Sequence, residues 1–147
     1  LDYSSTAIKI IEKKAKNNNF SKLISTKYFD ARGKLPYKDN SIKGIFSHML
    51  YCMAFTNSDI KKLNSEIFRV LKPGGVNIYT VRHINDGDYM KGIHRGEDMY
   101  ENDGFIINFF SEKKVNSLLK GFKNLSTTKF EEGKFPRKLF LVQNKKI

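Results

Sequence analysis

Apolar residues recur at helical spacing in three stretches of the chain, and short continuous apolar runs lie between them, so the pattern alternates strand and helix. Ile8, Ile11 and Ala15 follow the capping candidates Ser4 and Ser5 and predict a first helix. Ile60, Leu63, Ile67, Val70 and Leu71 follow Thr56 and Asp59, a capping-box pattern, and predict a second. Val115, Leu118, Leu119 and Phe122 behind Ser111 predict a third. The runs ending at Tyr3 and Asp30, then Ile42 to Ser47, Val76 to Arg82, Leu125 to Phe130 and Leu139 to Gln143 read as strands. Of these, Ile42 to Ser47 is apolar enough to be buried on both faces of a parallel sheet.

Turn residues punctuate the pattern. Asn17, Asn18 and Asn19 stop the first helix, and Gly33 and Pro36 mark a loop after the expected strand Leu23 to Phe29. Lys72, Pro73, Gly74 and Gly75 fit a type II turn that reverses the chain into the strand at Val76. Periodicity vanishes from 83 to 110, which reads as a long loop or insertion. Gly133 and Pro136 join the last two strands as a hairpin. The order predicts one α/β domain over residues 1–147, with a doubly wound, mostly parallel sheet closed by an antiparallel C-terminal hairpin.

Composition narrows the classes of function. The 147 residues are 39% hydrophobic, enough for one core, yet no apolar run approaches the about 20 residues of a membrane span. The chain starts at Leu1, inside an apolar run and without the features of a signal peptide, so its start reads as a cut. A single cysteine, Cys52, excludes an internal disulfide framework and a cysteine-based zinc site, and the chain is read as cytoplasmic. Lys and Arg outnumber Asp and Glu 27 to 15, but the lysines are scattered. Without an Arg-rich stripe or an aromatic platform, the excess does not make a nucleic-acid protein. His83, His94 and Asp98 match no compact metal-ligand spacing, and no metal site is expected.

Four motifs then stand in register: Leu1 to Ser4, "LDYS"; Asp30, Ala31, Leu35 and Pro36, "DA..LP"; Ile45 to Leu50, a strand and the loop after it; and Arg69 to Gly75, "RVLKPGG". Together they resemble class I S-adenosylmethionine-dependent methyltransferases of the small-molecule type, and the resemblance implies a Rossmann-like fold with S-adenosylmethionine as cofactor. It also implies site residues. Asp2 would accept the ribose hydroxyls, with Tyr3 and Ser4 beside it; its alternative is a helix-start residue. Asp30 would accept the adenine amino group and the Ala31 backbone address the ring edge, the alternative for Asp30 being a turn former.

At the next strand ends, Ser47 and His48 would face the methionine half of the cofactor, at the crevice edge where such sheets bind ligands. Candidate bases are His48 and His83, either of which is otherwise a merely hydrogen-bonded histidine. Tyr51, Arg82, His83 and His94 are candidate substrate contacts, Arg82 for a carboxylate, or else members of an ordinary polar loop. The acceptor is expected to be a small molecule. The family's first strand and its glycine-rich loop are not found ahead of Leu1, so this stretch by itself is expected to be inactive and to self-associate through unpaired strand edges. Two other readings stay open, a fragment of a nicotinamide-dependent oxidoreductase and a non-catalytic cofactor-binding module.

Overall fold

A computed structural model describes residues 1–134 and 136–147. The chain divides into two compact units, Leu1–Leu35 and Pro36–Ile147.

In the first unit, helix α1 (Ser5–Asn17) starts where Ser4 turns its hydroxyl onto the amide of Ala7 at 3.2 Å. It ends in the asparagine run, with Asn19 in the left-handed region at φ 59° and Phe20 N–H donating to the Ala15 carbonyl. The strand expected from Leu23 to Phe29 does not form. Ser21 to Leu23 is a turn, Leu23 is 82% exposed, and only Tyr28 pairs, through a single parallel bridge to Asp2. A strand needs a partner along its length to satisfy its amides, and here the partner segment supplies one residue.

In the second unit, a four-stranded sheet runs in the order β1-β2-β7-β6, with β1 (Ile42–His48), β2 (Leu71–Arg82), β6 (Phe122–Glu132) and β7 (Arg137–Lys146). β1 and β2 are parallel, whereas β7 runs antiparallel to both β2 and β6, so the sheet is mixed. Helix α2 (Asn57–Val70) carries the expected capping box, Thr56 and Asp59 bonding reciprocally. It buries Ile60, Leu63, Ile67 and Val70, each contributing about 1.5–3 kcal/mol of hydrophobic stabilisation. Its C-terminal carbonyls are met by a buried lysine: Lys146 Nζ donates to the carbonyls of Phe68 at 2.6 Å and Leu71 at 2.8 Å and lies over the Phe68 ring.

The Pro-Gly-Gly segment behaves differently from a chain-reversing turn. Leu71 already pairs with Ile42, and Val76 pairs with Gly44, so Lys72 to Gly75 bulge out of β2 opposite the one residue Lys43. Gly74 has φ +75°, the value the third position of a type II turn needs. A side chain on Gly75 would meet the carbonyls of Lys43 and Lys72, both 2.9 Å from its Cβ.

Segment 83–110 is more ordered than its lack of periodicity suggests. It forms a second, three-stranded antiparallel sheet of β3 (Ile93–His94), β4 (Met99–Asn102) and β5 (Phe105–Asn108). The β4–β5 turn is Asp103–Gly104, both at positive φ, a turn matched to strand twist. Helix α3 (Glu112–Asn116) is capped by Ser111 but is shorter than predicted; turns follow it, and β6 begins at Phe122 after Gly121 at φ +80°. Among the described residues no helix is long and apolar enough to cross a membrane.

Candidate functional site

In the first unit the Asp2–Tyr28 bridge places the ends of two parallel segments side by side. Asp2 N–H donates to the Lys27 carbonyl and Phe29 N–H to the Asp2 carbonyl. Asp2 Oδ1 accepts from Ser4 N–H at 2.7 Å, the bond of a helix-start residue; a carboxylate keeps further acceptor capacity. Tyr3 is 66% exposed and lies against Tyr28 at 5.7 Å. Asp30 organises its own turn, accepting from the Arg32 amide at 2.9 Å and, through its carbonyl, from Gly33 N–H. Its carboxylate also meets the Arg32 guanidinium at 3.4 Å, and the Ala31 backbone lies inside that turn.

In the second unit the carboxyl ends of the parallel pair β1 and β2 carry the other candidates. The Ser47 hydroxyl is buried without a hydrogen-bond partner among the described residues, beside Tyr79 in register. His48 is half-exposed and held at both ring nitrogens: Nδ1 lies 2.9 Å from the Thr80 hydroxyl and Nε2 lies 3.4 Å from the Glu132 carboxylate. A carboxylate only accepts, so the Glu132 contact is made by a proton on Nε2, while the Thr80 hydroxyl can serve Nδ1 as donor or acceptor. The Thr80 oxygen accepts in turn from Met49 N–H at 2.9 Å. Both ring nitrogens of His48 are thus engaged within the protein.

Tyr51 lies in the core. It is fully buried, stacked on Tyr79 at 4.6 Å, with its hydroxyl 3.4 Å from both Asn64 and Asn77, and burial pushes its pKa up. Cys52 beside it accepts from Arg82 N–H at 2.9 Å, and burial pushes its thiol up to about 12.

Arg82 is buried and occupied. Its Nε donates to Asp86 at 3.1 Å and its Nη2 to Asp88 at 2.7 Å and again to Asp86. Burial raises the Asp86 pKa, but Arg82 and the amides of Asp88 and Lys138 outweigh it and hold the carboxyl below its ordinary range. The guanidinium is bound within the loop after β2, and the Asp86 carboxylate ties that loop to the start of β7.

His83 is buried against Phe140 at 4.9 Å, and its Nδ1 accepts from Asn85 N–H at 3.0 Å. Burial lowers its pKa, the nearby Lys129 ammonium adding to this, so the neutral ring dominates with its proton on Nε2. Its Nε2–H is a hydrogen-bond donor. His94 lies away from this group in the three-stranded sheet, its Nε2 on the Glu97 carbonyl at 2.9 Å and its ring against Tyr100. Sequence reasoning missed Thr80, Glu132 and Asp86, which decide the states of these groups; all three come from segments distant in sequence from His48 or lying in a loop without period.

A family model described as "Methyltransferase domain" matches residues 1–79 of the 147, just over half, and the chain belongs to that family. With the fold, this defines a class I S-adenosylmethionine-dependent methyltransferase domain. A SAM-dependent methyltransferase from Methanosarcina mazei is 20% identical with a TM-score of 0.74 over 99% of this chain and 80% of its own. The 1,6-didemethyltoxoflavin-N1-methyltransferase of Burkholderia thailandensis, bound to 1,6-didemethyltoxoflavin and S-adenosylhomocysteine, is 12% identical with a TM-score of 0.70 over 92% and 56%. The N-methyltransferase NodS of Bradyrhizobium japonicum, bound to S-adenosylhomocysteine, is 9% identical with a TM-score of 0.67 over 99% and 64%. No curated protein matches the sequence.

Proposed function

We propose that the chain, as part of a longer one, transfers a methyl group from S-adenosylmethionine to a small-molecule acceptor. The observation that carries the reading is the parallel Asp2–Tyr28 bridge inside the matched family segment, which sets Asp2 and Asp30 at the tips of neighbouring segments. Two carboxylates so placed suit the hydroxyl and amino donors of one adenosine. Asp2, with Tyr3 and Ser4, would hold the ribose; Asp30 and the Ala31 backbone would address the adenine. The longer chain is supported by β1, which lies at a sheet edge with Phe46 67% exposed. The neighbours bound to S-adenosylhomocysteine support the choice of cofactor.

When bound, the cofactor supplies an electrophilic methyl on a sulfonium. The protein need only orient an acceptor in line and exclude water. The engaged rings of His48 and His83 suit that division of labour. Calorimetric titration of S-adenosylhomocysteine into the natural full-length chain tests the reading. Binding in the micromolar range, weakened about tenfold or more by Asp2→Ala through loss of the ribose bonds, is expected. Binding of NADH in its place would make the chain an oxidoreductase fragment, and cofactor binding without methyl transfer to any acceptor would make it a binding module.

A further inference from the structure

We propose that Thr80 is a positioning residue of the cofactor site: its hydroxyl holds the strained corner at His48 and Met49, where β1 leaves the sheet, in the shape that S-adenosylmethionine requires. The inference rests on the methyltransferase reading and adds to it a residue that acts through its neighbours.

The backbone of the corner is unusual. Met49 has φ 52° and ψ 16°, in the left-handed region. Asn19, Asn40 and Asp103 also have positive φ, and their short polar side chains tolerate it, whereas a long apolar side chain stays there only when its surroundings hold it. The place matters as well. The corner closes β1 at its carboxyl end beside the parallel strand β2, the edge at which open α/β sheets bind ligands and where His48 is a cofactor candidate.

Thr80 supplies the hold. It is 3% exposed and lies opposite His48 in register. Met49 N–H donates both to Thr80 Oγ1 at 2.9 Å and to the Thr80 carbonyl at 3.1 Å, and the same Oγ1 stands 2.9 Å from His48 Nδ1. A hydroxyl has one donor and two acceptor sites, so both contacts are satisfied whichever way the His48 proton sits. Glu132 is the weaker partner: its contact with His48 spans 3.4 Å between side chains each 40% exposed, where solvent screens it. Beyond the corner, the short helical turn Leu50–Cys52 is fixed by the burial of Tyr51 and Cys52. A relaxation at Met49 would therefore fall on the strand end and shift His48.

S-adenosylhomocysteine is titrated by calorimetry into the natural full-length chain and its variants, each checked for folding by its urea midpoint. Thr80→Val, which keeps the shape and removes the hydroxyl, is expected to weaken binding about tenfold, and Thr80→Ser to recover most of that loss. The Met49→Gly background separates positioning from packing. Glycine takes a left-handed φ without support, so Thr80→Val should there cost no more than about twofold. A merely structural threonine would lower the urea midpoint in both backgrounds and leave affinity alone, which overturns the proposal, as does an equal loss of affinity in both. Wild-type protein gives a check that needs no variant: bound S-adenosylhomocysteine should shift the Met49 amide and His48 ring resonances in NMR spectra, and unmoved resonances reject the proposal. If the wild type binds no S-adenosylhomocysteine, the methyltransferase reading fails and takes the proposal with it; wild-type binding that Thr80→Val leaves unchanged removes the proposal alone.

Discussion

At Asp86 a single carboxylate gathers Arg82, the amide of Asp88 and the amide of Lys138, so one side chain fixes the exit of β2, the loop after it and the start of β7. Removing its charge strands a buried guanidinium with Asp88 alone. Asp86→Asn should cost about 2–4 kcal/mol at pH 7, measured by urea unfolding. The pH dependence has a definite sign. The folded pKa lies below the unfolded value of about 3.9, so the contribution is complete above that value and disappears as pH falls through the depressed folded pKa. Wild-type stability should therefore fall more steeply than that of the variant below about pH 4. His83 obeys the same sign by another route, since a buried neutral ring resists the proton that the unfolded chain takes up below about 6.5. Its NMR titration should show a midpoint below the ordinary histidine value, with the Nε2–H tautomer at neutral pH.

Among the elements, the α2–β2 connection shows how closely local sequence can bind backbone geometry. Lys72 to Gly75 is accommodated as a bulge because Gly74 takes a left-handed φ and Gly75 has no Cβ to press on two carbonyls. Gly75→Ala should cost about 1–3 kcal/mol, an overpacking penalty. Gly74→Ala, whose Cβ would meet only the Lys145 chain at 3.6 Å, should cost nearer 1 kcal/mol from backbone conformation alone. Urea midpoints for the two variants check the order. Capping signals were legible in the sequence for the same local reason: Ser4, Thr56 and Ser111 each cap the helix predicted after them. The sheet of β3 to β5 was not read, because strands of two to four residues show no period. Its one local signal is Asp103–Gly104, a hairpin dipeptide.

For the molecule as a whole, the two edges of the four-stranded sheet are unequal. β6 is guarded by Lys123 and Lys129 and by a register shift at Asn124 to Ser126, whereas β1 presents Phe46 at an unpaired edge. Lysines and bulges discourage edge pairing, and an exposed aromatic edge invites it. Sedimentation should find concentration-dependent dimers that Phe46→Lys disperses; a monomer at every concentration would remove this expectation.

The sequence by itself determined the three capped helices, the strands β1 and β2, the closing hairpin and the family, because each is written in residues adjacent along the chain. Only the tertiary structure decided what the candidate groups do. Thr80 and Glu132 reach His48 from β2 and β6, Asp86 turns back onto Arg82, and Tyr51 is sealed under Tyr79. Whether an imidazole keeps a lone pair or a guanidinium keeps a free face depends on which partners long-range packing brings within about 3 Å, and spacing along the chain carries no record of that.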